Sequence, residues 1–406
     1  MGHIIIQILM TDPKNPKKAL AAIFLIVVVD ILGLAIVLPL LPFYAEHYGA
    51  TPQVVGFLVT LYALCQLFAG PILGRISDRT GRKPMLIVSQ IGTCIGFIVL
   101  AKAHALWMIF LSRFIDGVTA GNLPIAQAFI SDVTESKDRS KAFAIIGIAF
   151  GVGFFIGPAL SGYLSQFGYS YPAWAAAALS FTSILCSTFL LPTGPVHQNY
   201  EVPEAFHPRQ FIRYFKKPVL GNLLLQFFCF GLAFSGFMSG FALFAERRFM
   251  YHGHAVGATE VGYFYTYFGL LGILFQGYLL GKLVKRYGEK KLIVVGFLAQ
   301  GLGYAGFAFV FHLPALFATA VVAALGSGVV RPTLTSLVTQ NASRTEQGAV
   351  LGVSQSLVSI AQILAPMLSG FLIERHWLHA WALIVGSFAL GGFLINRLRP
   401  EAVSAH

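Results

Sequence analysis

Charge is scarce in this chain. Asp, Glu, Lys and Arg make up 11% of its 406 residues, where a soluble domain carries roughly a quarter. Acids are scarcer than bases, 16 against 28, so each acid in an apolar setting needs a reason. The four cysteines, Cys65, Cys94, Cys186 and Cys229, have no CxxC spacing. That excludes a disulfide scaffold or a thiolate metal site, and they read as small packing residues. The chain has no HExxH, no GxSxG and no Walker loop, so nothing in it points to an enzyme or to direct use of ATP.

What the chain has in abundance is apolar surface: 56% hydrophobic residues and a mean hydropathy of +0.74. Apolar runs of about 20 residues, each long enough to cross a hydrocarbon core, recur from end to end. About twelve spans are predicted, at 20–44, 54–74, 85–102, 105–130, 141–165 and 171–191, then at 219–245, 260–281, 291–311, 313–338, 347–373 and 378–396. The runs are too long and too continuously apolar for barrel strands, so the fold class is an all-α polytopic membrane protein.

A net charge of +12 would suggest nucleic acid in a soluble protein; here its position explains it. With loops assigned alternately to the two sides, nearly all bases, from Lys14 through Arg79, Lys137, Arg213 and Lys285 to Arg399, fall on one side. Lys102, Arg247, Arg248 and Arg375 fall on the other. The positive-inside rule then puts both termini in the cytoplasm and excludes nucleic acid as a partner. The opening "MGHIIIQILM" is too short for a signal peptide, and Met10 is an alternative start. Compact loops suggest a bacterial inner membrane, and the chain is expected to be a monomer.

The stretch 192–218, rich in Pro and polar residues, reads as a cytoplasmic linker. It gives an N-terminal tail at 1–19, a six-helix bundle at 20–191, the linker, a second bundle at 219–396 and a tail at 397–406. The halves resemble each other. "GRISDRTGRKP" from Gly74 is echoed by "GKLVKRYGEKK" from Gly281, and "GFFIGPALSG" from Gly153 by "AQILAPMLSG" from Ala361, at nearly one offset. Two matches in the same order indicate duplication, and both halves start from the same side, as in transporters built from parallel repeats.

These same residues carry a family resemblance across essentially the whole chain. The sequence resembles the major facilitator superfamily (MFS), and within it the drug:proton antiporters that include the tetracycline efflux proteins. "GRISDRTGRKP" matches the loop motif between spans two and three, "RFIDGVTAG" the fourth-span motif, "GVGFFIGPALSG" the fifth-span motif of exporters, and "DILGLAIVLPLLP" the first-span motif. The resemblance implies the MFS fold, twelve transmembrane helices in two six-helix bundles related by a pseudo-two-fold axis. It implies a secondary transporter driven by the proton gradient, without a cofactor, whose partners are a small organic substrate, protons and the bilayer. It also implies a cytoplasmic gate at Gly74, Asp78, Arg79, Gly81, Arg82 and Lys83, with Asp78 set against a helix N-terminus and basic residues of neighbouring loops. In the second copy Asp78 becomes Lys285, so the latch belongs to the first half.

The fifth-span glycines Gly153, Gly157 and Gly162, with Pro158, imply a close helix contact between the halves that suppresses leak. Their counterparts Ala361 and Ala365 confine that contact to the first half. The chain departs from the tetracycline exporters in span three, having Gly96 where they carry an acid, so tetracycline is not the expected substrate.

Counting charge deep in the spans leaves Asp30, Arg113, Asp116 and Arg331. Charges at that depth are costly and usually mark a site. Arg113 and Asp116 are three apart and share a helix face. They could pair with each other, or Arg113 could hold Asp30 across a central cavity until a proton or a cationic substrate competes. Burial favours a neutral carboxyl group and an adjacent arginine favours its charged form, a balance that a transport cycle can use. Arg331, before Pro332, is a permanent cation with no acid deep in its own half. It fits an anionic substrate group and supports the alternative of uptake or facilitated diffusion of a small organic anion.

Further cavity candidates are Gln66, Asn122, Gln127, Gln226, Gln276, Gln355 and Gln362. Seven histidines fall on the outer side without carboxylates at metal-ligand spacing, so no metal site is expected. A non-transporting receptor or scaffold is the remaining alternative, and it gives the deep charges no task.

Overall fold

The computed structural model describes residues 16–134, 139–192, 213–342 and 346–398. The tail up to 15, most of the linker and the end of the chain from 399 lie outside the described residues. Among the described residues the regular structure is helical apart from a two-stranded hairpin. In chain order the helices are α1 (Pro16–His47), α2 (Pro52–Thr80), α3 (Arg82–Ala101), α4 (Leu106–Val118), α5 (Asn122–Val133), α6 (Arg139–Ser165) and α7 (Ser170–Leu190). The second half has α8 (Pro218–Arg248), the hairpin β1 (Met250–Tyr251) and β2 (His254–Ala255), and α9 (Ala258–Ile273). A π-helical turn, Leu274–Leu279, leads into α10 (Leu280–Tyr287), followed by α11 (Glu289–Gly306), α12 (Leu313–Gln340), α13 (Gln347–Glu374) and α14 (Leu378–Leu398).

Eleven of the crossings are helical stretches long and apolar enough to span a membrane, counted among the described residues. The other expected span, 105–130, is broken into α4 and α5, each too short to cross alone. Pro124 explains the break: it offers no N–H to the carbonyl four residues back, at Ala120, and its ring crowds that carbonyl. Ser89 of α3 repairs the gap, donating to the Thr119 carbonyl and accepting from the Gly121 N–H at 2.9 Å. Span ten has its own proline, Pro332, yet α12 stays one helix from Leu313 to Gln340.

The chain forms two compact units. The first contains 1–48 and 64–202, the second 49–63 and 203–406. In the first, α1 packs on α6 and α7, and α3 on α4 and α7; in the second, α8 packs on α13 and α14, and α11 on α12 and α14. The same pairing of corresponding spans in both units is the structural counterpart of the sequence repeat. The first half of α2 belongs to the second unit, where Gly56 lies against the Pro366 backbone. There Thr60 donates to the Ile363 carbonyl at 2.9 Å, and Glu374 accepts from Thr51 Oγ1 at 2.8 Å.

The first unit's core gathers Ile23, Ile26, Leu86, Ile125, Phe129 and Ile130. The second is aromatic: Phe237 stacks on Tyr304 at 4.7 Å and Phe241 on Phe264 at 4.0 Å. Trp381, 1% exposed, stacks on Phe244 at 4.8 Å and donates to Ser369 Oγ at 3.1 Å. Gly240 leaves room for its indole.

Small residues set the closest helix approaches. Gly153 lies against Ile31 and Gly157 against Ala35, both of α1. For these two glycines the close approach is to α1 of their own unit. The second unit is not without the contact either. There Ala361 meets Gly231 of α8, a Cβ at Gly231 coming within 3.0 Å of the Ala361 methyl. The glycine has moved to the facing helix, and the close approach persists.

Candidate functional site

Asp30 lies near the middle of α1, in an apolar run whose nearest acid along the helix is Glu46 in the last turn. Its neighbours come from α3 and α7 of the same unit. Gln90 Nε2 lies 3.4 Å from Asp30 Oδ2 and donates to Ser183 Oγ at 2.7 Å. Ser183 also reaches the Asp30 carboxylate. The groups holding Asp30 are therefore an amide and a hydroxyl, both neutral.

Asp116 is held differently. On α4 its Oδ2 pairs with Arg113 Nη1 at 3.2 Å, both side chains only 4% exposed. Thr93 of α3 supplies another hydrogen bond to Asp116. The guanidinium sits 5.6 Å from the Phe97 ring centre, and its Nη2 is buried without a partner. Gly96 makes this packing possible, because a Cβ there would come within 3.0 Å of the Ser112 carbonyl oxygen and 3.1 Å of Asp116 Cβ. The first unit thus contains one ion-paired carboxylate and one held by neutral donors. Sequence spacing allowed Arg113 either partner, and the structure gives it Asp116.

The loop-motif residues meet at one end of the unit. Arg82 pairs with Asp78, with Asp132 at the end of α5 at 2.8 Å, and with Ser77 Oγ at 2.7 Å. Lys83 donates to the Leu191 carbonyl at 2.7 Å, satisfying a C-terminal carbonyl of α7. Asp78 thus finds its partner four residues along its own motif, not in a neighbouring loop, among the described residues. Gly81 takes φ 98°, a left-handed turn that favours glycine.

The remaining candidates separate. Asn122 opens α5 beside the break, its Oδ1 buried without a partner, and Gln127 is exposed. Gln226 is fully buried, donating to Asn222 Oδ1 at 3.1 Å and receiving Asn396 Nδ2 at 3.4 Å. That places it in the packing of α8 against α14, not in an open site. Gln355 is exposed, as is the side chain of Arg331 on α12. Gln90 and Ser183 were not among the sequence candidates. A glutamine inside the apolar run of α3 was the available signal for the first; a serine among small residues gave none for the second.

The sequence profile of the Major Facilitator Superfamily matches residues 23–310 and 249–405. With the repeated helix pairing and the acids inside the spans, this makes the chain a member of that superfamily: a multi-pass membrane transporter of small molecules, not an enzyme. Within the superfamily it is related to tetracycline and multidrug resistance proteins. It is 31% identical to the class C tetracycline resistance protein of Escherichia coli over 87% of this chain and 89% of that protein. It is 26% identical to multidrug resistance protein 2 of Bacillus subtilis (strain 168), over 97% and 98%. Among solved structures, the human organic anion transporter MFSD10 superposes with a TM-score of 0.73 at 21% identity, covering 94% of this chain and 99% of that one.

Proposed function

We propose that this transporter exports a small drug-like or amphipathic organic compound in exchange for protons, by alternating access, from a bacterial cytoplasm that holds both termini. The observation that carries this reading is the unequal setting of the two buried acids. Asp30 is held by Gln90 and Ser183, so it can gain or lose a proton without abandoning an ion pair. Asp116 would have to give up Arg113, which makes it the poorer carrier. We therefore assign the proton to Asp30 and a positioning role to the Arg113–Asp116 pair. The kinship with resistance proteins supports export, and the motif around Arg82 acts as the cytoplasmic gate.

A second reading rests on Arg331, whose exposed side chain on α12 suits the carboxylate of a small organic anion carried without protons.

Reconstituted proteoliposomes test both. Ethidium, tetracycline and benzoate are supplied in turn while internal pH is followed. Under the first reading ethidium drives proton movement in the wild type; Asp30→Asn abolishes it and keeps exchange of labelled for unlabelled ethidium. Benzoate transport without proton movement, abolished by Arg331→Ala, overturns export in favour of the second reading.

A further inference from the structure

Gln90 is fully buried at the centre of α3, between α1 and α7. Its side chain shows an asymmetry. The Nε2 end faces both Asp30 Oδ2, at 3.4 Å, and Ser183 Oγ, at 2.7 Å, while the Oε1 end is buried with no partner. Buried acceptors are almost always satisfied, so an orphaned one calls for an explanation. A carboxylate only accepts hydrogen bonds, whereas a protonated carboxyl group must also donate one. The Gln90 carboxamide carries a donor at one end and an acceptor at the other, and half a turn about its last bond exchanges them.

We propose that Gln90 reads the protonation of Asp30: Nε2 faces the charged carboxylate, and Oε1 turns to accept from the protonated acid. This rests on Asp30 being the proton carrier. Ser183 answers the same rotation. It accepts from Nε2 in the present arrangement and donates to Oε1 in the other, so the state of an acid on α1 reaches α7 as a reversal of hydrogen-bond direction. The proton itself stays on Asp30, and no covalent bond other than its O–H forms or breaks. The other ionisable groups around Asp30 are Asp116, already paired with Arg113 on α4, and Cys186 of α7. On α5, Asp132 is engaged with Arg82. The described side chains of α6, from Ile146 to Ser165, include no Asp, Glu, Lys or Arg.

Infrared difference spectroscopy across a pH titration tests this without any substrate, on the full chain in lipid nanodiscs with glutamine carboxamides labelled with carbon-13. The acid carbonyl band of Asp30 is the one that Asp30→Asn removes. The expected result is a labelled carboxamide band that shifts with the same midpoint as that acid band and is missing from both Asp30→Asn and Gln90→Met. In Gln90→Met the Asp30 band also takes the frequency of an acid without its acceptor, and its midpoint is displaced by about tenfold in proton concentration. If Asp30 titrates and no glutamine band follows it, or if the moving band survives in Gln90→Met, the role of Gln90 is overturned while the proton assignment stands. If Asp30→Asn removes no titrating band, the proton assignment itself falls, and Gln90 with it. The comparison of wild type with Asp30→Asn needs no change at Gln90, so poor folding of Gln90→Met leaves the test decisive.

Discussion

Ser89 makes both of its hydrogen bonds to the backbone between α4 and α5, and that shows how single polar atoms are used in this protein. Its hydroxyl closes the gap between α4 and α5 by serving the Thr119 carbonyl and the Gly121 N–H together. Ser89→Ala removes the hydroxyl from both groups and leaves only the bond from the Gly121 N–H to the Thr119 carbonyl at 2.7 Å, a loss of about 1 kcal/mol. Thermal unfolding in detergent is expected at a lower temperature, and hydrogen exchange at residues 119–121 is expected to be faster. The Arg113–Asp116 pair makes a sharper case. Removing one partner of a buried pair strands the other and costs about 3–5 kcal/mol, whereas replacing both with apolar residues is often neutral. Arg113→Leu alone is therefore expected to lower the yield of folded protein, and Arg113→Leu with Asp116→Leu to restore it. Transport that returns together with folding would reduce the pair to a structural role. Asp30, Arg113 and Asp116 were legible in the sequence because charge stands out in apolar runs. Gln90 and Ser183 were not, because neutral polar residues are common in helix packing and only three-dimensional neighbours reveal which of them serve an acid.

At the scale of the helix, most boundaries could be read from hydrophobic runs, since the bilayer imposes a length on every crossing. The break in span four could not, although Pro124 signalled it; Pro332 sits in the corresponding place on an unbroken α12. A proline's effect depends on how neighbours hold the backbone around it, and in the first unit Ser89 bonds the groups on either side of Ala120, at Thr119 and Gly121. Pro124→Ala restores a donor toward the Ala120 carbonyl. It is expected to slow hydrogen exchange at 119–125 and, if the break moves Asp116 during the cycle, to reduce turnover with little change in stability. The repeat uses different devices elsewhere too: where α2 has Pro71, the corresponding part of the second half has the π-helical turn Leu274–Leu279. The close approach of α1 and α6 depends on Gly157, where a Cβ would come within 2.6 Å of the Ala35 methyl. Gly157→Ala is expected to lower the yield of folded protein, while Gly147→Ala, with nothing within 4 Å of its added Cβ, is tolerated; equal yields of the two would refute the steric argument.

Across the whole molecule, the repeat was legible from two echoes at one offset and the family from four motifs in order, and corresponding helices pair alike in each unit. The glycine exchange between Gly153 and Gly231 escaped a motif comparison because it preserves a distance, not a residue. The proposed orientation rests on the distribution of bases. A cysteine introduced at His104 is expected to react with an impermeant maleimide added to intact cells, and one at Arg79 only after the membrane is opened; the reverse pattern would invert the topology.

The enclosure of Trp381 also has an optical side. The protein has four tryptophans, and Trp107, Trp174 and Trp377 are 62%, 43% and 50% exposed, against 1% for Trp381. Three indoles are open to quenching by brominated lipid tails or aqueous iodide, while the fourth is shielded by Phe244 and Gly240. The emission that survives both quenchers belongs to Trp381. Its loss during denaturation would time the opening of the second unit from within, with no label attached.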